Sequence, residues 1–176
     1  MLFLLFELDG DRYALDAAEI VQVLPLVATK SIPGAPGWVA GVFDRHGAAV
    51  PVIDVSHLAL GRAARQLRST RLVLVRYETR HNAQHNAQNV YDDAKSEHLL
   101  GLIVERATQT LRIEREAFAG SGVATPHARW LGPVANDALG VVQWVEVQQM
   151  LDDNVKALLF PRTPSAQPRQ HAGSAQ

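Results

Sequence analysis

An internal repeat limits the folds open to this chain. Laid without gaps, residues 36–55, PGWVAGVFDRHGAAVPVIDV, run beside residues 128–147, ARWLGPVANDALGVVQWVEV. Trp38 falls on Trp130, Val42 on Val134, Val50 on Val142 and Val55 on Val147, while Asp44 falls on Asn136 and Asp54 on Glu146. Four identities in twenty are weak alone, but the apolar alternation, the turn positions and the strand-then-helical-turn endings coincide as well. A second stretch agrees at a similar offset: YALDAAEIVQVL lies over LGLIVERATQTL, matching Leu15 to Leu102, Gln22 to Gln109 and Leu24 to Leu111. The chain reads as two similar β modules of about five short strands each. Such strands left as open sheets expose unpaired edges, and closing them into barrels removes that liability.

The elements follow from local chemistry. Two apolar stretches flank the DGD at residues 9–11, and Asp and Gly tolerate the backbone angles of a tight hairpin turn. Pro25 lacks the N–H of a ladder donor, which places the strand AEIVQVLPLV at an edge or bends it. A second hairpin has its tip at residues 44–47, and SHLAL reads as a helical turn after it. RLVLVRY, HLLGLIVE, TQTLRI and GVVQWVEV read as further strands, and QQMLDDNVKALLF carries apolar residues at helical spacing. Residues 78–97 enclose the polar, tandemly repetitive HNAQHNAQ, and are expected to form a mobile insertion between two strands. Residues 161–176, rich in Pro, Gln, Ser and Ala without apolar period, are expected to be disordered.

Composition removes several function classes. A length of 176 residues suffices for one ordinary domain or two very small ones. Seventeen Lys and Arg against 18 Asp and Glu give a net charge of −1, so no global field steers the chain toward nucleic acid or an anionic membrane. With no cysteine, disulfides, thiolate catalysis and Cys-based zinc sites are excluded, which fits a reducing cytosol. The opening MLFLLFELDG has no basic leader region and its apolar run stops at Glu7, too short for a signal peptide or a membrane span.

Candidate chemistry is sparse. Asp54, Ser56 and His57 are the letters of a hydrolase triad, but they crowd one strand end, where alternation points them to different sides; the competing reading makes Asp54 the cap of the following helical turn. His81 and His85, near Asp92, Asp93 and His98, have the spacing of a metal pair, but their Asn and Gln neighbours do not support a preorganised helix, and no metal or cofactor is expected. Arg62, Arg65, Arg68 and Arg71 recur every third residue, either as a solvated connector or as a face for an acidic partner or phosphate. Trp38 and Trp130 are expected to be equivalently buried in two cores. What remains is surface without apparent chemistry, which points to protein contacts.

The residues PGAPGWVAGVFDRHGAAVPVIDV resemble the CheW family of chemotaxis coupling proteins, whose pattern runs through Pro, a Gly-Val-x-Asn-x-Arg-Gly tip and Val-x-Pro-Val-x-Asp-Leu. FELDGDRYALDAAEIVQVLPL is similar to the family's opening hairpin and third strand, LLGLIVERATQTLRI to its Gly-Leu-x-Val-Asp-x-Val segment, and VVQWVEVQQML to its closing strand and helix. Layout and the ending KALLF are most similar to coupling proteins of Wsp-type surface-sensing pathways. The resemblance implies a mainly β fold of two packed SH3-like five-stranded barrels over residues 1–160. Residues 10–69 would form the first barrel, and 1–9 with 70–160 the second, with short helices after strands and at the C-terminus.

It implies no enzyme, but a cytoplasmic adaptor bridging the tip of a methyl-accepting receptor to the regulatory domain of a CheA-type histidine kinase. Such an adaptor sits in receptor arrays without entering the membrane and binds no nucleic acid. The family's groove and tip positions fall on Gly41, Val42, Asp44, His46 and Gly47 in the first half and on Gly101, Ala107 and Thr110 in the second. Val39, Phe43 and Arg45 extend that contact surface, and Gln22 occupies the place of an acidic residue able to pair with the family's arginine. That arginine is His46 here, the family's Asn is Asp44, and Ala107 replaces a larger Val. A family-type salt bridge between positions 22 and 46 therefore cannot form, although a hydrogen bond between Gln22 and His46 can. Three rivals stand beside this reading: a divergent adaptor that no longer binds the kinase, a hydrolase using Ser56 or His57, and a binder of anionic ligands through the arginine row.

Overall fold

A computed structural model of the chain describes residues 1–80 and 95–161. The first segment, β1 (Leu2–Leu8), turns through Asp9 and Gly10, both at positive φ, into β2 (Asp11–Asp16), as the DGD chemistry requires. Strand β3 (Ile20–Pro25) ends on its proline at the end of the strand order, and β4 (Val39–Arg45) with β5 (Ala48–Asp54) makes the second hairpin. Helix α1 (Val55–Leu60) follows, then β6 (Arg71–Arg80), β7 (Lys95–Arg112), β8 (Leu131–Asp137), β9 (Gly140–Val145) and α2 (Asp153–Leu159), with single 3-10 turns at Arg115–Ala117 and Val147–Gln149. Asp54 caps α1 by accepting the N–H of His57 at 3.0 Å, and Asp152 caps α2 by accepting that of Val155 at 2.9 Å.

The strands form two SH3-like five-stranded units. One comprises β1, β2, β8, β9 and the C-terminal part of β7; the other comprises β3, β4, β5, β6 and the N-terminal part of β7. Each closes through a backbone bridge to its hairpin, Lys30 to Val42 in one and Ala119 to Val134 in the other. The repeat is realised in the register. Val39↔Ile53, Val42↔Pro51 and Arg45↔Ala48 recur as Leu131↔Val145, Val134↔Gln143 and Asp137↔Gly140, with a bulge at the same place. The parallel pair Val52↔Gly101 recurs as Ala14↔Trp144.

These pairings correct the expected division of the chain. Strand β2 pairs with β1 and β9, outside the barrel of β3–β5, and β6 with the first part of β7 completes that barrel. The two halves exchange their leading hairpins, because a hairpin travels as one hydrogen-bonded unit. TQTLRI is likewise no separate strand: β7 runs unbroken from one barrel into the other. Its pairing with β1 shifts between Leu5 and Glu7, and Arg106 takes a left-handed φ of 54° at this crossing. At the expected insertion, residues 78–80 and 95–97 are paired strand, and residues 81–94 lie outside the described part, as do 162–176 of the tail.

Alternation sorts side chains among three cores. Phe3 and Leu5 of β1 point into one barrel, Leu72 and Leu74 of β6 into the other, while Leu4, Phe6, Leu8, Val73, Val75 and Tyr77 meet between the barrels. Both faces of β1 are thus largely buried, which explains its near-continuous apolar sequence.

Candidate functional site

The β4–β5 hairpin carries most of the expected contact residues. Its two-residue loop, His46 and Gly47, has both φ angles positive, 53° and 87°, and the Asp44 Oδ1 accepts the Gly47 N–H at 2.7 Å. Asp44, His46 and Gly47 are exposed, Val42 and Arg45 are half-buried, and Gln22 is exposed on the neighbouring β3. Gln22 meets Arg45 instead of His46: the Arg45 Nη2 donates to Gln22 Oε1 at 3.4 Å. The hydrogen bond that Gln22 and His46 could form is therefore replaced by one with the residue before the histidine, because Arg45 lies within the strand and the left-handed His46 lies in the turn.

Four of the expected residues are buried. Val39, Gly101 and Ala107 lie within the packed interior, and Gly41 is buried where the barrel closes. Gly41 sits at φ 131°, and a Cβ there would stand 2.2 Å from the Lys30 carbonyl oxygen, so glycine permits the Lys30–Val42 backbone exchange. A Cβ on Gly101 would meet Leu72 at 2.9 Å and Val52 at 3.0 Å. Phe43, half-buried, turns toward the core of Val50, Val52, Leu72 and Leu74. Thr110 is exposed on the other barrel, paired with Leu4. These positions thus divide among a surface at the β4–β5 hairpin, the packed interior and, for Thr110, the face of the other barrel.

The triad letters do not assemble. Both Asp54 oxygens take backbone N–H groups, from His57 and from Ala64 at 2.8 Å, and the fully buried Ser56 donates its hydroxyl to Glu105 at 3.1 Å. Of the metal candidates, His81, His85, Asp92 and Asp93 lie outside the described residues; His98 stacks on Phe160 at 4.5 Å and its Nε2 lies 3.0 Å from the Thr79 hydroxyl. Among the described residues no group of three His, Asp or Glu side chains is placed to hold a metal, and no helix is long and apolar enough to cross a membrane. Trp130 is buried but Trp38 only half so; what the repeat preserves is their backbone, since Trp38 O accepts from Asp54 N at 2.9 Å and Trp130 O from Glu146 N at 2.8 Å.

The arginine row is split. Arg62 and Arg65 lock the connector to Glu105, a carboxylate 2 % exposed that receives Arg62 Nη1 at 2.7 Å, Arg65 N at 2.9 Å and Arg65 Nε at 3.1 Å; both arginines also reach Asp9. Burial pushes the Glu105 carboxyl up, but these hydrogen bonds and that of Ser56 outweigh it and hold it below the ordinary value. Arg68 is exposed, and Arg71 donates to the carbonyls of Arg68 and Thr70. Glu105 and Asp9 escaped the sequence reading. The available signal was an acid inside the otherwise apolar LLGLIVERA.

The β8–β9 hairpin carries the opposite electrostatics. Asp137, in the place of Arg45, receives both Arg12 Nη atoms at 2.6 and 2.7 Å, and this clamp lowers its carboxyl to about 2.

Comparison with known proteins agrees with this architecture. The CheW-like domain family model matches residues 2–155. The chemotaxis protein CheW of Helicobacter pylori is 26% identical over 114 residues, covering 64% of this chain and 58% of that protein's length. The crystal structure of the scaffolding protein TtCheW from Thermoanaerobacter tengcongensis superposes with a TM-score of 0.69 at 17% identity, covering 87% of this chain and 88% of that one, a likeness of fold. With the family model spanning both barrels and their exchanged hairpins, the chain belongs to the CheW-like domain family.

Proposed function

We propose that this chain is a non-catalytic, cytoplasmic adaptor that couples a methyl-accepting chemoreceptor to the regulatory domain of a CheA-type histidine kinase. The observation that carries the reading is the β4–β5 hairpin. An internally fixed turn presents Asp44, Arg45, His46 and Gly47 beside Gln22, while Asp54 and Ser56 are consumed by backbone and Glu105 contacts. Family membership supports a scaffold role. Contact through a few anchors on a rigid hairpin gives affinity without chemistry in this subunit, and signalling is then a population shift of the assembled complex.

The test is a pull-down of kinase regulatory domain and receptor tip by the purified chain and by its V42E/H46E variant. Both side chains leave the barrel interior intact, so the circular dichroism spectrum stays unchanged while capture is lost. Undiminished capture of both partners refutes the assignment of this surface. Separate titration of the two partners distinguishes this reading from the divergent adaptor, which would not bind the kinase and would serve another receptor or signalling partner.

A further inference from the structure

The two hairpin tips differ in how their charges are satisfied. Among the described residues four arginines are half-buried: Arg12, Arg45, Arg62 and Arg71. Arg12 is held by both oxygens of Asp137, Arg62 by Glu105 and Asp9, and Arg71 by two backbone carbonyls. Arg45 has one long bond, 3.4 Å, to the neutral amide oxygen of Gln22, and its Nε is fully covered without any acceptor. Asp44, the acid beside it in sequence, directs an oxygen into its own turn. The equivalent position of the other barrel carries Asp137, whose charge is closed internally. One tip is therefore electrostatically complete, and the other holds a guanidinium with a single weak acceptor.

A half-desolvated guanidinium gains far more from a carboxylate than from a neutral amide, because charge-assisted bonds are about twice as strong and the fork matches two oxygens. We infer that Arg45 is the anchor of the β4–β5 hairpin for an acidic side chain, Asp or Glu, of the kinase regulatory domain, whose carboxylate takes the place of the Gln22 amide. The tip is convex, with Asp44, His46, Gly47, Ala48 and Ala49 all exposed, and so fits the face of a globular domain better than it encloses a helix. Displacing Gln22 also frees the guanidinium to turn and bring Nε to an acceptor. This inference rests on the adaptor reading and adds the chemistry of its contact.

Isothermal titration of the full chain against a CheA-type regulatory domain tests it, with receptor tip as the second probe. Arg45→Gln weakens kinase binding by about 10–100-fold, the range of one charge-assisted bond, and flattens its salt dependence, while Arg68→Gln on the exposed connector stays within about twofold. Gln22→Glu supplies the carboxylate within the chain, raising the thermal midpoint and weakening kinase binding by about tenfold. Because this second variant is expected to be more stable, its loss of binding cannot come from unfolding. Wild-type affinity in Arg45→Gln overturns the inference and leaves the adaptor reading standing; so does loss of receptor binding alone. A wild-type chain that binds neither probe overturns the adaptor reading, and the inference with it.

Discussion

Replacing Glu105 probes how the two barrels are joined. Its carboxylate lies where β7 crosses between barrels and gathers Ser56 from α1, Arg62 and Arg65 from the connector and, through both arginines, Asp9 from the β1–β2 turn. Glu105→Gln keeps the shape but sets an amide N–H₂ against the Arg65 Nε donor and removes the charge. One charge-assisted bond lost and one donor left facing another amount to about 2 kcal/mol. Glu105→Ala also leaves the buried Ser56 hydroxyl and the Arg65 N–H without an acceptor, for about 4 kcal/mol, within the range for breaking a buried pair from one side.

Urea denaturation followed by circular dichroism reads both, as a fall in midpoint at unchanged slope. The pH dependence separates charge from packing. The folded Glu105 carboxyl lies below its unfolded value, so its stabilisation is fully present above the unfolded value and lost as pH falls through the folded one. Wild type therefore loses this component below the ordinary glutamate range, and Glu105→Gln, which has none, shows a shallower acid limb. A Glu105→Gln midpoint equal to wild type, or an acid limb of the same steepness, refutes the claim that this charge locks the connector.

Three further outcomes follow from other contacts. Gly41→Ala, which drives a Cβ into the Lys30 carbonyl at 2.2 Å and strains a φ of 131°, destabilises by about 3 kcal/mol or more in a thermal melt. Asp137→Asn removes stability that the bidentate Arg12 clamp supplies above pH 4 and that wild type loses as pH falls from about 4 to about 2; the cost at neutral pH is about 1–2 kcal/mol by urea titration. Arg106→Val places a β-branched residue at φ 54° and costs about 1–2 kcal/mol by urea titration, whereas Arg106→Gly relieves the backbone and costs less.

How much was legible depends on the range over which each signal acts. The hairpin turns, the α1 cap at Asp54 and the terminal place of the strand ending in Pro25 are set by neighbours a few residues away, and the structure has them where the residues put them. The pairing of Arg45 with Gln22 was not legible, because it depends on which tip residue lies in the strand and which takes the left-handed turn. The lock of Arg62 and Arg65 on Glu105 was equally hidden: a row of exposed-looking arginines looks the same whether or not an acid some 40 residues away is buried beneath it.

That this chain is a duplicated β protein is written in its residues, because apolar alternation and turn chemistry are local and recur in both halves in the same order. The sequence alone could not determine which half completes which barrel. Exchanging the leading hairpins leaves every local pattern unchanged, and only the pairing of β2 with β9 and of β5 with β7 decides between the alternatives. The same tertiary step separated the two tips, giving Asp137 an arginine and Arg45 only an amide, since the partner of a charge is chosen by what the folded chain brings beside it.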